Sequence, residues 1–363
     1  MEILSPGFLQ IAERVAFFAT LLSAATLAVC VGVRLSFELK TRQAARFRHE
    51  AEPLVTSYLA GRTPAGDVSA VLGAHPERAL LLLMEISDRL EPADRARLRP
   101  LFAALPLAES EAANLRSRRW ETRLRAAERL GYLGDSSLAP ALREALNDDV
   151  LTVRFAAARS LRALDGTESI EPILRAFDLP GEMNQRRVAE ILFDFGPVAI
   201  DPLLAVAADR EGRYSDNVVD VAVRVLGMLR AAKASPVLLP LLQSPEFRVR
   251  LNAVRALGQI GDHAAVPDIS RLATDPAWEV RNAAVQALGH VQANGQHGVL
   301  VAALADQSWW VRHSAASALQ GLGDRGIDAL REVMRNSPDR FARDISRQIL
   351  EEQRLLDTKE KLS

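Results

Sequence analysis

Apolar residues recur at intervals of three and four positions along most of the chain, which is the spacing of one face of an α-helix. The segment 246–275, EFRVRLNAVRALGQIGDHAAVPDISRLATD, shows this pattern, with small Ala among larger Leu, Val and Ile. Within it, Gly261 predicts the end of one helix and Asp262 the N-cap of the next. The same turn signal recurs at Gly134 with Asp135 and at Gly323 with Asp324. The pattern predicts consecutive helices, and no convincing strand is seen.

These helices repeat at a fixed interval. Four arginines stand 31 residues apart and a leucine follows each by seven residues: Arg250, Arg281, Arg312 and Arg343, with Leu257, Leu288, Leu319 and Leu350. The same pair occurs earlier as Arg123 with Leu130 and as Arg154 with Leu161. One longer spacing of 34, between Leu192 and Leu226, interrupts the series. A period of this length is typical of stacked helical hairpins, so the sequence predicts an all-α fold, an α-solenoid.

One N-terminal segment departs from this composition. Residues 15–33, VAFFATLLSAATLAVCVGV, carry no charge over 19 positions and would span about 28 Å as a helix, close to the thickness of a bilayer core. They predict a single transmembrane helix. Basic residues follow it more densely than they precede it, which predicts an inner-membrane protein with its N-terminus outside and its repeats in the cytoplasm. A cleaved signal peptide and a buried helix are the alternatives.

The predicted organisation has six parts. They are an N-terminal flank at 1–14, the transmembrane helix at 15–33, a basic juxtamembrane helix at 34–51, a helical cap at 52–118, the solenoid at 119–356 and a disordered tail at 357–363. The cap is expected because the first repeat of a solenoid would otherwise expose an apolar face.

The repeat core resembles the HEAT-repeat family, in the short form of phycobilisome-lyase-type repeats. The segments VRLNAVRALGQIGD and VRHSAASALQGLGD carry the resemblance, which covers about residues 118–350. It implies a scaffold or adaptor more often than an enzyme. The anchor and cap together are similar to membrane-anchored bacterial HEAT-repeat proteins, and that likeness suggests a glycosyltransferase as the kind of associated enzyme.

Composition and residue clusters indicate little chemistry. There are 45 basic and 46 acidic residues, and a net charge of -1 argues against a nucleic-acid partner. The lone cysteine, Cys30, excludes an intrachain disulfide. No histidine of the repeats has acidic partners at metal-ligand spacing, and no phosphate loop or catalytic motif stands out. We therefore predict no enzyme activity, no catalytic or metal-binding residues, no cofactor and no small-molecule substrate.

The recurring arginines admit two interpretations. A row of guanidinium groups could bind phosphates, but regular recurrence at one helix position favours a structural role between repeats. The predicted structural ladder consists of Arg123, Arg154, Arg250, Arg281, Arg312 and Arg343.

Departures from the repeat indicate where a partner could bind. Trp310 occupies a position that is polar in most other repeats, so it is a candidate hot spot, although packing against the C-terminal helix would also explain it. The uncharged stretch SPVLLPLLQSP at 235–245 predicts an apolar groove at Val237, Leu238 and Leu241, with core packing as the alternative. Aromatic residues at a second repeat position, Phe247, Trp278 and Trp309, are predicted to pack between repeats.

Together these observations predict a non-enzymatic, membrane-tethered scaffold or adaptor. It would bind a membrane-associated protein partner, such as an enzyme for which it is an accessory subunit, at the cytoplasmic face of a bacterial membrane. The alternative is a lyase-like or chaperone-like HEAT protein that modifies a protein substrate.

Overall fold

The computed structural model describes residues 6–164, 166–178, 181–209, 211–292 and 294–360. All regular elements in these ranges are helices. The described residues form two compact units, one of 6–113 with 132–135 and one of 114–131 with 136–360. The all-α prediction is confirmed, and the second unit has the hairpin repeats of an α-solenoid.

The first unit contains five complete α-helices and most of a sixth. They are α1 Pro6–Leu59, α2 Ala65–Gly73, α3 Pro76–Asp88, α4 Pro92–Arg97, α5 Arg99–Ala103 and α6 Ala108–Asn114. Helices α2 and α3 pack on α1, where Ala51 and Val55 are fully buried. The predicted break between a juxtamembrane helix and a cap near residue 51 does not appear, since α1 continues without interruption past Pro53.

The predicted membrane location is wrong. A bilayer span needs about 20 consecutive, mostly apolar helical residues. Among the residues that the structure describes, no helix contains a stretch that meets this requirement. This finding removes the support for the transmembrane helix at 15–33 and, with it, for a single-pass inner-membrane protein.

The second unit alternates first and second helices of the repeats. The first helices are α7 Trp120–Leu133, α9 Leu151–Leu164, α11 Glu182–Phe193, α13 Asp216–Met228, α15 Phe247–Ile260, α17 Trp278–His290, α19 Trp309–Gly321 and α21 Arg340–Glu360. The second helices are α8 Ala139–Ala145, α10 Ile170–Ala176, α12 Ile200–Ala207, α14 Ser235–Leu238, α16 Val266–Arg271, α18 His297–Ala303 and α20 Asp324–Asn336. The central leucine of every first helix from α7 to α19 is fully buried.

The predicted turn after α15 is present. Gly261 follows the helix in the left-handed conformation, with φ at 78°, which costs glycine little because it has no Cβ. Asp262 then accepts a hydrogen bond from the Ala264 N–H at 2.8 Å and caps the next helical turn. The sequence signal therefore predicted this hairpin correctly.

Consecutive first helices approach closely at one recurring contact. A Cβ added to Gly258 would lie 2.9 Å from the Cα of Ala287, and one added to Gly227 would lie 2.7 Å from the Cα of Ala256. The same crowding occurs between Gly289 and Ala318 and between Gly131 and Ser160. In each pair the second residue comes 29 positions after the glycine. The stack of first helices thus depends on a glycine against a small residue.

The recurring arginines form a second contact between repeats. Arg250 donates from Nε and Nη2 to the two carboxylate oxygens of Asp275 at 2.7 and 2.8 Å. Arg281 binds Asp306 with the same two distances, and Arg123 binds Asp148 at 2.6 and 2.9 Å. We call each such bidentate pair, formed between an arginine and an aspartate 25 residues later, a rung.

Each arginine of a rung also binds back to its own repeat. Nη1 of Arg250 donates to the carbonyl oxygens of Ser244 and Pro245 at 2.8 and 3.0 Å. Burial opposes ionisation of Asp275, but hydrogen bonds from Arg250 and from the Ala277 N–H outweigh it and lower the pKa of the carboxyl. One guanidinium therefore ties two successive repeats together.

Three arginines of the series, Arg154, Arg312 and Arg343, have no rung within the described residues. Arg154 donates instead to the carbonyl oxygens of Asp148 and Ala176. Arg312 donates from Nη1 to the carbonyl oxygens of Asp306 and Gln307, but the residue 25 positions later is Ser337. The Ser337 hydroxyl accepts a hydrogen bond from the Asp339 N–H at 3.2 Å. Each aspartate of a rung likewise accepts a hydrogen bond from the backbone N–H two residues after it. Within the described residues neither Arg312 nor Arg343 has a carboxylate partner.

The ladder is interrupted where the repeat spacing lengthens. Gln185 stands at the arginine position of α11, is buried, and donates to Asn217 Oδ1 at 2.9 Å. Arg248 reaches the same side chain, donating to Gln185 Oε1 at 3.2 Å. Asp220 lies buried nearby, 4.0 Å from Arg248 Nε. Burial raises the pKa of the Asp220 carboxyl, against the opposing effects of a hydrogen bond from Asn252 and of Arg248.

Replacement of Gly258 by alanine should destabilise the stack, because the new methyl group has to displace the Ala287 backbone. We expect a loss of about 1–3 kcal/mol, the usual cost of overpacking. Gly321→Ala is the matched control, since a Cβ there meets nothing within 4 Å. That change should be neutral or stabilising by up to about 1 kcal/mol. Thermal and urea unfolding followed by circular dichroism compare the two, and equal effects would contradict the close-contact interpretation.

Ser337→Asp should supply the missing rung for Arg312. Because Arg312 is only 9% exposed, a bidentate carboxylate at this point is expected to stabilise the last repeats by about 1–2 kcal/mol. Ser337→Asn keeps an acceptor for the Asp339 N–H without the charge and serves as the control. The measurement is the unfolding midpoint at neutral pH, and a midpoint no higher for the aspartate variant than for the asparagine variant would count against the rung.

Asp220→Asn should stabilise the protein at neutral pH. Because the pKa of Asp220 is higher in the folded than in the unfolded protein, ionisation of this carboxyl lowers the free energy of unfolding. The loss begins as pH rises above the pKa of an unfolded aspartate and is complete above the pKa of folded Asp220. The advantage of the variant should therefore shrink on acidification to about pH 4. Asp216→Asn, which removes an exposed charge from the first turn of α13, should not stabilise. Urea unfolding over a pH series measures both variants, and a pH-independent difference for Asp220→Asn would refute the assignment.

Candidate functional site

A row of partly exposed aromatic side chains lies at the N-terminal ends of four successive first helices. We call it the aromatic edge, and it consists of Phe247, Trp278, Trp309, Trp310 and Phe341. Their exposed fractions run from 40% for Trp278 to 58% for Trp310 and Phe341. Phe247, Trp278 and Trp309 are each the first residue of their helix, while Trp310 and Phe341 are second residues.

The position of these residues explains their exposure. In an α-helix the Cα–Cβ bonds tilt toward the N-terminus, so a side chain in the first turn has no preceding turn to cover it. The prediction that Phe247, Trp278 and Trp309 are core residues between repeats is therefore wrong. The repeat pattern shows that a position is apolar, but it does not show that a neighbouring element covers it.

Trp310 belongs to a small aromatic cluster. Its ring meets the ring of Trp309 edge to face, with centroids 4.9 Å apart and planes at 79°. On its other side the Trp309 ring stacks on His313 at 4.9 Å, with planes only 5° apart. Aromatic pairs in such geometries contribute about 0.5–1.5 kcal/mol beyond their buried area. The cluster thus holds the exposed Trp310 ring in a defined orientation.

Arg312 and Phe341 extend the edge to the next repeat. The Cζ atom of Arg312 lies 4.7 Å from the centre of the Phe341 ring, so a cation–π contact takes the place that a carboxylate has in the rungs. One face of Phe341 is covered in this way, and the residue remains 58% exposed. Packing of Trp310 against the C-terminal helix was the alternative explanation for Trp310, and its described ring contact is with Trp309 on its own helix.

The second predicted surface is weaker. Leu238 is fully buried, so it belongs to the core and offers nothing to a partner. Val237 and Leu241 are partly exposed and lie in α14 and in the 3₁₀ turn Leu239–Gln243 that follows it. In a helical stretch every third or fourth residue faces the core, and here Leu238 and Leu242 do so. Of the three predicted side chains, only Val237 and Leu241 remain accessible.

Sequence reasoning missed the acidic half of the ladder. Asp148, Asp275 and Asp306 each precede a ladder arginine by six residues and follow another by 25, a regularity visible in the printed sequence. This signal would have identified the carboxylate partners of Arg123, Arg250 and Arg281. It would also have shown that Ser337 breaks the pattern at the partner position of Arg312.

Other features offer no site for chemistry. In the described part of the chain, no group of three or more His, Cys, Asp or Glu residues could hold a metal ion. A groove of about 560 Å³ in the first unit is lined by residues of α1, including Arg48, His49 and Glu52, and by Arg62. Arg48 already pairs with Glu85 and Glu52, so its charge is compensated.

Comparison with solved structures finds chains of limited similarity. An engineered protein is 18% identical over 78% of this chain and 90% of its own, with a TM-score of 0.36. The complex of CpcE and CpcF of phycocyanin lyase from Nostoc sp. PCC7120 is 22% identical over 62% of this chain and 92% of its own, with a TM-score of 0.32. Kap95p, in a structure with RanGDP, is 14% identical over 76% of this chain and 50% of its own, with a TM-score of 0.37.

Comparison with the curated proteins gives no match. The family model described as HEAT repeats matches residues 111–192, 200–289 and 269–351. These segments contain both motif copies that suggested the resemblance, which is confirmed. The matches cover more than half of the chain, and the chain therefore belongs to the HEAT-repeat family.

Proposed function

We propose that the chain is a non-enzymatic scaffold that binds a protein partner through the aromatic edge. The observation that supports this most is Trp310, a tryptophan that is 58% exposed in a repeat position that is polar in most other repeats, and whose ring contacts Trp309. Tryptophan is enriched among residues that dominate binding energy, because a rigid ring buries a large area at low entropic cost.

The length of the edge also supports a macromolecular partner. Its residues lie on four helices that pack side by side, and neighbouring helix axes in proteins are about 8–10 Å apart. A row over four such helices is longer than a small molecule and suits an extended or helical protein segment. A single-repeat pocket would have suggested a smaller ligand.

A tether to a membrane and an association with a glycosyltransferase have no support in the fold or in the comparisons. They are not part of the proposal. The lyase-like or chaperone-like alternative has no residues of this chain in its favour, and covalent pigment transfer to a protein by the purified chain would be the result that promotes it.

Trp310→Ala should weaken partner binding while helix content and the unfolding midpoint stay close to those of the unaltered protein. A hot spot contributes about 2 kcal/mol or more, so the affinity should fall about thirtyfold. Partners recovered from cell extract with the tagged full-length chain are identified by mass spectrometry, and one of them is then purified for titration.

The matched control is Met183→Ala. Met183 occupies the same repeat position as Trp310, on α11, is 70% exposed, and lies outside the aromatic edge. Partner binding should be unaffected by this change. If both variants bind the purified partner as the unaltered protein does, the edge is not the binding surface.

A further inference from the structure

Arg343 makes its described hydrogen bonds through one side of its guanidinium only. Nη1 of Arg343 donates to the carbonyl oxygens of Ser337 and Pro338 at 2.7 and 3.1 Å, the same pair of contacts that Arg250 makes in its own repeat. In every rung the opposite side, Nε and Nη2, binds an aspartate of the next repeat. Among the described residues no carboxylate binds this side of Arg343.

Arg343 differs in this respect from Arg312. Arg312 also lacks a rung, but it is only 9% exposed and its guanidinium lies over the Phe341 ring. Arg343 is partly exposed, and its only described hydrogen bonds are those of Nη1. The partly exposed Arg343 thus has N–H groups on Nε and Nη2 for which no described residue is an acceptor.

The charges around Arg343 favour an acidic ligand. Arg340 and Arg347 lie on the same helix and share one carboxylate, Asp344, at 3.5 and 3.8 Å. The first two turns of α21 therefore carry an excess of positive charge.

We propose that Arg343 binds an aspartate-bearing segment of a protein partner, in the way that Arg281 binds Asp306. This proposal rests on the proposed function and names the chemistry of the partner segment. Phosphates of a nucleic acid could also bind a guanidinium, but the rungs show carboxylates in this geometry, and the net charge of the chain is -1.

The rungs also specify the shape of the ligand. In each rung one carboxylate oxygen of the aspartate accepts a hydrogen bond from the backbone N–H two residues later. A helix begins three residues after the aspartate, at Leu151, Trp278 and Trp309. The expected partner segment is therefore an aspartate three residues before a helix that starts with an apolar or aromatic residue.

The test uses the chain's own rung sequence as the probe. A fluorescein-labelled peptide of residues 272–284, LATDPAWEVRNAA, is titrated with the full-length protein at low salt and followed by anisotropy. The same peptide with Asn in place of Asp275 is the ligand control. We expect the aspartate peptide to bind about tenfold more tightly than the asparagine peptide, and added salt to weaken it.

Protein variants locate the binding. Arg343→Gln and Arg343→Lys should each lose the preference for aspartate, the lysine variant because it keeps the charge but not the bidentate geometry. Arg347→Gln, which removes a charge one turn later, should keep the preference. Unfolding midpoints show whether each variant is folded, and the lysine variant tests the proposal even if the glutamine variant is unstable.

Several results would overturn the proposal. They are equal binding of the two peptides, no binding of either, an equal loss in Arg347→Gln, or Arg343-dependent binding of a labelled single-stranded oligonucleotide in place of the peptide. The proposed function is judged separately, by the effect of Trp310→Ala on a captured partner. If the peptide does not bind but Trp310→Ala still weakens binding of the captured partner, only the proposed aspartate-bearing segment is refuted and the proposed function stands.

Discussion

Neighbouring first helices are joined at two points from α7 to α9, from α15 to α17 and from α17 to α19, and the orientation of these repeats depends on the two contacts. Late in the helix, a glycine lies against an alanine or serine of the next repeat, so the backbones come close together. Early in the same helix, an arginine donates two parallel hydrogen bonds to an aspartate in the turn that precedes the next first helix. Two separated contacts define an orientation, whereas one would leave the helices free to pivot. Burial of the central leucines supplies the apolar driving force but does not by itself select an angle.

The rungs are absent in one region, where the sequence changes character, although the Gly227–Ala256 contact between α13 and α15 remains. Between α11 and α15 the arginine position holds Gln185 and then Val219, and buried amide and carboxylate groups take over from the rungs. Buried polar groups need partners with good geometry, and Asp220 has a hydrogen bond from Asn252 but lies 4.0 Å from Arg248 Nε, so its charge is weakly compensated. This region is therefore expected to be less stable than the repeats on its C-terminal side. A solenoid can tolerate such a junction, because each repeat contacts only its neighbours.

Much of the fold could be predicted because it depends on patterns within short segments of the sequence. A period of 31 residues, helix spacing within it and the Gly261–Asp262 turn define hairpins without reference to distant contacts. The surface could not be predicted in the same way. The sequence shows an apolar residue at Leu257 and at Trp278 alike, but it does not show that the first is covered by a neighbouring helix and the second stands exposed at a helix start. The error over Leu238 has the same origin, since which residues of a one-turn helix face inward depends on how the next helix is placed.

The candidate site follows from the same two contacts that build the stack. Rungs hold the loops before α17 and α19 through Asp275 and Asp306, and these loops end one residue before Trp278 and Trp309 begin their helices. The aromatic rings are thus exposed but attached to backbone that the rungs restrain, which lowers the entropy that a partner must remove on binding. At α21 the described hydrogen bonds of the ladder arginine are all to its own repeat. Arg343 is anchored to its own repeat and unpaired with any described carboxylate, so the feature that joins repeats inside the solenoid becomes, at α21, a surface suited to joining another protein.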